Sequence, residues 1–230
     1  SKEEAIKELL KKHKRITEDI IRMARELDRE HEEITREIAE RLRRLLKKLL
    51  DDVRREVKDE RLLREVKKIL DEIEKILREA LRRTKEILDE TKKILDRALK
   101  ETDEVLERIK ELVERGEPKE EVLDAVRRLV ELDKKAVDDW NRVNRDLVRV
   151  DKEVLKTLLD VIRELIKVLK ARTDDERAKR VLDKILDDVR RLVEEAAKLL
   201  DESVKKSTDI VRRVRKLLDD SLKEVAELAK

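Results

Sequence analysis

The sequence predicts an all-α protein: a long, antiparallel, up-down-up-down four-helix bundle with a slight left-handed supercoil. Three observations predict it. The first is composition, since 53% of the 230 residues are charged and 39% hydrophobic, with one Gly, one Pro, no Cys, no Phe and no Tyr. Loops consume Gly, Pro, Asn and Ser, so the chain has little with which to build them. Leu, Ile, Val and Ala set among Lys, Arg, Glu and Asp are the material of long amphipathic helices. The second is an apolar stripe stepping by three and four residues along nearly the whole chain, close to a 3.5-residue repeat. The third is the placement of the breaks, which divide the chain into helices of similar length, about 2–57, 60–115, 118–171 and 174–229. All four belong to a single domain, 1–230, and each is expected to be roughly 80 Å long at 1.5 Å per residue.

The first helix starts after Ser1, an N-cap with Glu4 three residues on as a capping box. Its stripe runs Ile6, Leu10, His13, Thr17, Ile20, Ala24, Leu27, His31, Ile34 and Ile38, and continues through Leu42, Leu45, Leu49 and Val53. The rhythm breaks near Val57 to Arg61, where Asp59 can cap the second helix. That helix carries Val66, Leu70, Ile73, Leu77, Ala80, Thr84, Ile87, Thr91, Ile94, Ala98, Val105, Ile109 and Leu112, and stops at Gly116. Gly past a last turn followed by Pro118 at a first helical position is a paired stop and start. The third helix contains Ala136, Trp140, Val143, Leu147 and Val150 as its stripe, with Asn144 and Asp151 at the edge. Thr173 and Glu176 form a capping box for the fourth, whose stripe includes Val189, Leu192, Ala196, Leu199, Ser203, Ser207, Ile210, Val214, Leu217 and Ser221.

Short connections make sequential helices antiparallel, so heights reflect across each turn. Reflected in this way, polar stripe residues gather at two heights. One layer is expected to hold His31, Thr84, Thr91, Asn144 and Ser203; the other His13, Thr17, Thr102, Asp133 and Ser221. The rest of the stripe is nearly all aliphatic, with Thr157 the main exception. Aliphatic side chains stack almost equally well in several registers, whereas a buried polar group without a partner costs about 1–3 kcal/mol. The layers are therefore expected to fix register and pairing. The competing reading places half of these Ser and Thr residues in solvent at the edge of the stripe.

The segment EKILREALRRTKEILDETKKIL, from Glu74 to Leu95, the Thr173 to Glu176 loop and the inward His, Thr, Asn and Ser residues resemble the idiom of de novo designed helical bundles with buried hydrogen-bond networks, both single-chain bundles and helical-hairpin heterodimers. The resemblance covers the whole chain. It implies a synthetic structural scaffold with no natural biochemical activity; an engineered interaction or switch module built from hairpin halves, a cage or an assembly component is the alternative.

No catalytic, cofactor or metal site is expected. His13 and His31 are the only imidazoles, separated by about 27 Å of helix. A Glu-x-x-His pair on two helices, as di-iron bundles need, is missing, because Leu10 and Asp28 hold the positions three before each His. A pH response through a buried imidazole is a lesser alternative. One Gly cannot make a phosphate-cradling loop. With 63 basic against 60 acidic residues interleaved, the chain has no basic face for nucleic acid. No apolar run approaches a membrane span, and the charged start at Lys2, Glu3 and Glu4 is no signal peptide. A monomer requiring no partner is expected, with no assignable compartment; a designed helical partner or self-assembly is the alternative.

Overall fold

The computed structural model describes residues 1–228. Four helices account for nearly all of them: α1 (Lys2–Glu56), α2 (Glu60–Glu114), α3 (Lys119–Ala171) and α4 (Glu176–Leu228). The fold is a four-helix bundle, as the stripe and the breaks predict. The expected end of α4 at residue 229 lies outside the described residues.

The helix ends follow from short-range hydrogen bonds. The Glu4 amide donates to Ser1 Oγ at 3.3 Å, and Asp59 Oδ1 accepts from the amides of Arg61 at 3.0 Å and Leu62 at 3.4 Å. At the far end of α2, Gly116 adopts φ +68°, its amide bonds Val113 O, and the Glu117 amide reaches back to Leu112 O. This is a Schellman closure, which needs a left-handed residue at that position. Two boundaries differ from expectation. Pro118 is the capping residue rather than the first helical one: its carbonyl accepts from Glu121 and Val122, and α3 begins at Lys119. Asp175, not Thr173, caps α4, because Asp175 Oδ1 takes the Arg177 amide at 2.9 Å while Thr173 Oγ1 serves the Asp175 amide.

Two compact units are distinguished within the chain. Among the described residues, the first comprises 1–29, 87–145 and those from 204 on, and the second 30–86 and 146–203. Each unit contains a length of all four helices. In the second, one continuous aliphatic core joins Leu42, Leu49, Ile73, Leu158, Ile162, Leu169 and Ile185, all nearly inaccessible. The first unit's core is divided: one cluster centres on Ile109 and Leu129, another on Val130 and Val214, and a third on Ala24, Leu95 and Trp140.

Surface ion pairs show the helix order within each unit. In the first, α1 meets α2 through Lys7–Glu114, Lys14–Asp103 and Arg25–Asp96, α3 meets α4 through Lys134–Asp219 and Arg215–Asp138, and α1 meets α4 through Lys12–Glu224. In the second the same neighbours meet through Arg43–Glu74, Lys152–Asp201, Lys170–Asp183 and Arg41–Glu195. Numbers rise on one member of each pair as they fall on the other, so adjacent helices are antiparallel. The hydrogen bonds that Arg43 donates to Glu74 raise its pKa above its ordinary value, and those donated to Glu114 and Asp138 do the same for Lys7 and Arg215.

Candidate functional site

The distinctive chemistry of the chain lies in polar groups placed on the buried seam. On α3 that seam is Asp133, Val137, Trp140, Asn144, Leu147 and Asp151, stepping by four and three, and every member is buried. Val143, Val150 and Ala136 are only half-buried. Trp140 and Leu147 of the expected stripe are in the seam, while Ala136, Val143 and Val150 give way to the next residues, Val137, Asn144 and Asp151; Asn144 and Asp151 thus occupy the centre of the seam, not its edge.

Three clusters result. In the first unit, Asp133 accepts from His13 Nε2 at 2.9 Å and from Thr102 Oγ1 at 2.5 Å, and Ser221 Oγ lies 3.4 Å from His13 Nδ1. Also in the first unit, Asp28 accepts from Thr91 Oγ1 at 2.8 Å, from Asn144 Nδ2 at 3.0 Å, and from Trp140 Nε1 at 3.2 Å to each oxygen. In the second unit, Asp151 accepts from His31 Nε2 at 3.0 Å and from Thr84 Oγ1 at 3.5 Å. Each cluster is built around one buried carboxylate. A carboxylate offers about four lone-pair sites and no donor, which is why it can collect several neutral donors at one point.

The single layer expected from His31, Thr84, Thr91, Asn144 and Ser203 is thus two clusters. Thr91 and Asn144 go to Asp28; His31 and Thr84 go to Asp151. Ser203 is half-buried and makes no hydrogen bond with His31, whose Nδ1 has no partner. In the other expected layer His13, Thr102, Asp133 and Ser221 come together, with Ser221 half-buried at the rim. Thr17 is buried but takes no part in those hydrogen bonds. Ser207, almost inaccessible, bonds back to Val204 O, and Thr157 is exposed. Asp28 is the residue that sequence reading missed as a buried acceptor. It sits one position beyond Leu27 in the stripe and three before His31, a carboxylate on the inner side of a helix.

Two of the clusters are copies. His31 lies 18 positions after His13, Asp151 lies 18 after Asp133, Thr84 lies 18 before Thr102, and Ser203 lies 18 before Ser221. Eighteen residues are five turns of an α-helix, so translation preserves the face. In both copies the His and Asp are 120 residues apart. The Asp28 cluster has no copy, and its α1–α3 separations are 112 and 116.

The hollows are poor containers for a ligand. A cavity of about 40 Å³ beside Thr84 and Asp151, lined by Ala39, Ala80 and Leu158, is far below the several hundred Å³ of a small-molecule site. A larger hollow of about 580 Å³ in the first unit is a groove walled by Lys7, Lys11, Lys14, Glu4, Glu8 and Glu107, with mixed charge and no convergent polar group. Among the described residues no group of three or more His, Cys, Asp or Glu is placed to hold a metal, and no helix is long and apolar enough to cross a membrane. Comparison with known proteins finds no match: no protein-family model fits the chain, and no curated protein or solved structure is significantly similar to it.

Proposed function

We propose that the chain is a designed structural scaffold whose buried polar clusters select one helix register and pairing. The observation that carries this reading is the 18-residue copy set beside an uncopied cluster. The loop from Glu114 to Lys119 spans at most about 18 Å and itself blocks a five-turn slip in the intact chain. Suppose instead that the chain is cut at Gly116 and the α1–α2 hairpin slides by five turns against α3–α4. His13 and Thr102 would then meet Asp151, and one complete cluster would re-form in the wrong register. The copied clusters alone leave that slip only partly penalised. Asp28 removes the ambiguity. After the same slide it would face Leu158 and Ile162, and Trp140 and Asn144 would face Leu10, stranding a carboxylate and two donors among aliphatic side chains.

The test replaces the uncopied cluster with apolar groups (D28L/T91V/W140F/N144L) and places spin labels at the exposed positions 47 on α1 and 156 on α3. The parent is expected to give one distance. With both chains cut at Gly116 so that the loop no longer holds the register, the variant is expected to stay helical but to add a second distance, from helices displaced by about 27 Å along their axes. A single unchanged distance in the variant would overturn the proposal.

A second reading, that the two hairpins are separable partner halves, has one observation in its favour. In the three clusters, the hydrogen bonds of His13, Thr102, His31, Thr84, Trp140 and Asn144 all join α1 or α2 to α3 or α4. Cutting the loop at Gly116 tests it: separately produced hairpins that fold and re-associate as a one-to-one heterodimer on mixing at micromolar concentration support it, and hairpins that fail to associate count against it.

A further inference from the structure

Ser221 adds to the His13–Asp133 pair a contact that the register function does not use, and the three form a relay. Asp133 accepts the Nε2 proton of His13 at 2.9 Å and is held by the Thr102 hydroxyl at 2.5 Å. With a single proton on the ring, that arrangement fixes it on Nε2 and leaves Nδ1 as a lone-pair acceptor. Nδ1 faces Ser221 Oγ at 3.4 Å. A hydroxyl, an imidazole and an orienting carboxylate in this order are the parts of an activated serine nucleophile, with the two ring nitrogens in exchanged roles. His13 and Asp133 are buried, whereas Ser221 is half-buried at the α1–α4 edge and therefore reachable. Leu217, one turn earlier on α4, is 40% exposed and offers an apolar surface beside the hydroxyl.

We propose that Ser221 is a selectively reactive serine toward electrophilic phosphorus, with His13 as its general base and Asp133 and Thr102 as positioning residues. Toward an alkyl phosphonofluoridate, Ser221 Oγ attacks phosphorus and the Oγ–P bond forms as the P–F bond breaks. Fluoride leaves, and the hydroxyl proton passes to His13 Nδ1 and then to solvent. The amides around Ser221 are committed to the helical ladder of α4, so no oxyanion donor is at hand. The chemistry is a single stoichiometric modification, not turnover.

The molecule contains its own control. Ser203 occupies the copied position on α4 and is likewise half-buried, yet His31 Nδ1 has no hydrogen-bond partner. The experiment treats the full chain with excess alkyl phosphonofluoridate and follows intact mass and peptide maps over time. One adduct is expected at Ser221, forming at least about tenfold faster than any at Ser203, within what a positioned base supplies. It should vanish in S221A and slow by at least about tenfold in H13Q, with circular dichroism recording the fold. No adduct at Ser221, equal labelling of the two serines, or an unchanged rate in folded H13Q would refute the assignment. If H13Q does not fold, the Ser221 to Ser203 ratio in the parent decides alone. None of these outcomes depends on the register proposal.

Discussion

Removing the Asp28 carboxylate is the sharpest test of the buried clusters. In Asp28→Ala the Thr91 hydroxyl keeps its second acceptor, Leu88 O at 2.8 Å. Trp140 Nε1 and Asn144 Nδ2 lose theirs, at sites where Trp140 is 0% and Asn144 6% exposed. Hydrogen bonds to a charged group contribute about 1.5–3 kcal/mol each after desolvation is counted. Two such losses total about 3–6 kcal/mol. The expected figure is near the lower end, about 3 kcal/mol, because a buried charge also leaves the core. Guanidinium unfolding followed by Trp140 fluorescence reads the same cluster, since Trp140 is the only aromatic side chain. With a slope of roughly 3–6 kcal/mol/M, the midpoint should fall by about 0.5–1 M. Asp19→Ala is the comparison, because Asp19 is exposed and pairs only with Arg22 on its own helix; it should move the midpoint by less than about 0.5 kcal/mol equivalent. If the two variants unfold together, Asp28 is not an obligatory acceptor and the account of the clusters fails.

Other expectations rest on burial and backbone geometry. Leu158→Ala, at 0% exposure in the second unit's core, should cost about 2–5 kcal/mol, while Thr157→Ala beside it should cost under about 0.5 kcal/mol; paired denaturation curves check both. Gly116→Ala meets no atom within 4 Å but holds a φ of +68°. It should therefore cost about 1 kcal/mol through backbone strain alone, and the same melt with Asn at that position should recover part of the loss. Glu74→Gln removes the α2 partner of Arg43, a pair about 30% exposed on each side, and leaves Arg43 its bond to Glu40 on α1. A loss of about 0.2–1 kcal/mol that shrinks in 1 M salt is expected from melts at two ionic strengths.

Much of this architecture was legible because long amphipathic helices carry redundant signals. The Gly116–Pro118 break, the Ser1 and Asp59 caps and the aliphatic stripe each point to the same four helices, and an error of a residue or two at Asp175 or Pro118 changes none of them. The grouping of polar residues carries no such redundancy. Reflecting heights across the turns brought His13, Thr102, Asp133 and Ser221 to one level, but the reflection is blind to a difference of three residues. A shift that small separates Asp28 from His31, and so divides one expected layer into two clusters.

Phase was the second loss. On α3, Val143 and Val150 fit a stripe as well as Asn144 and Asp151 do, and hydropathy prefers the valines. What selects the polar phase is hydrogen-bond accounting. His31, Thr84, Thr91, Asn144 and Trp140 all bring donors to the interior, and hydroxyls or amides accepting from one another leave some donor unanswered. Each group of donors needs an acceptor with several free lone pairs, which in this composition means a carboxylate on an inner face. Asp28, Asp133 and Asp151 meet that demand, one per cluster. Balancing donors against acceptors thus requires a carboxylate at Asp28 and runs the seam of α3 through Asp133, Asn144 and Asp151, where hydropathy alone favours the valines.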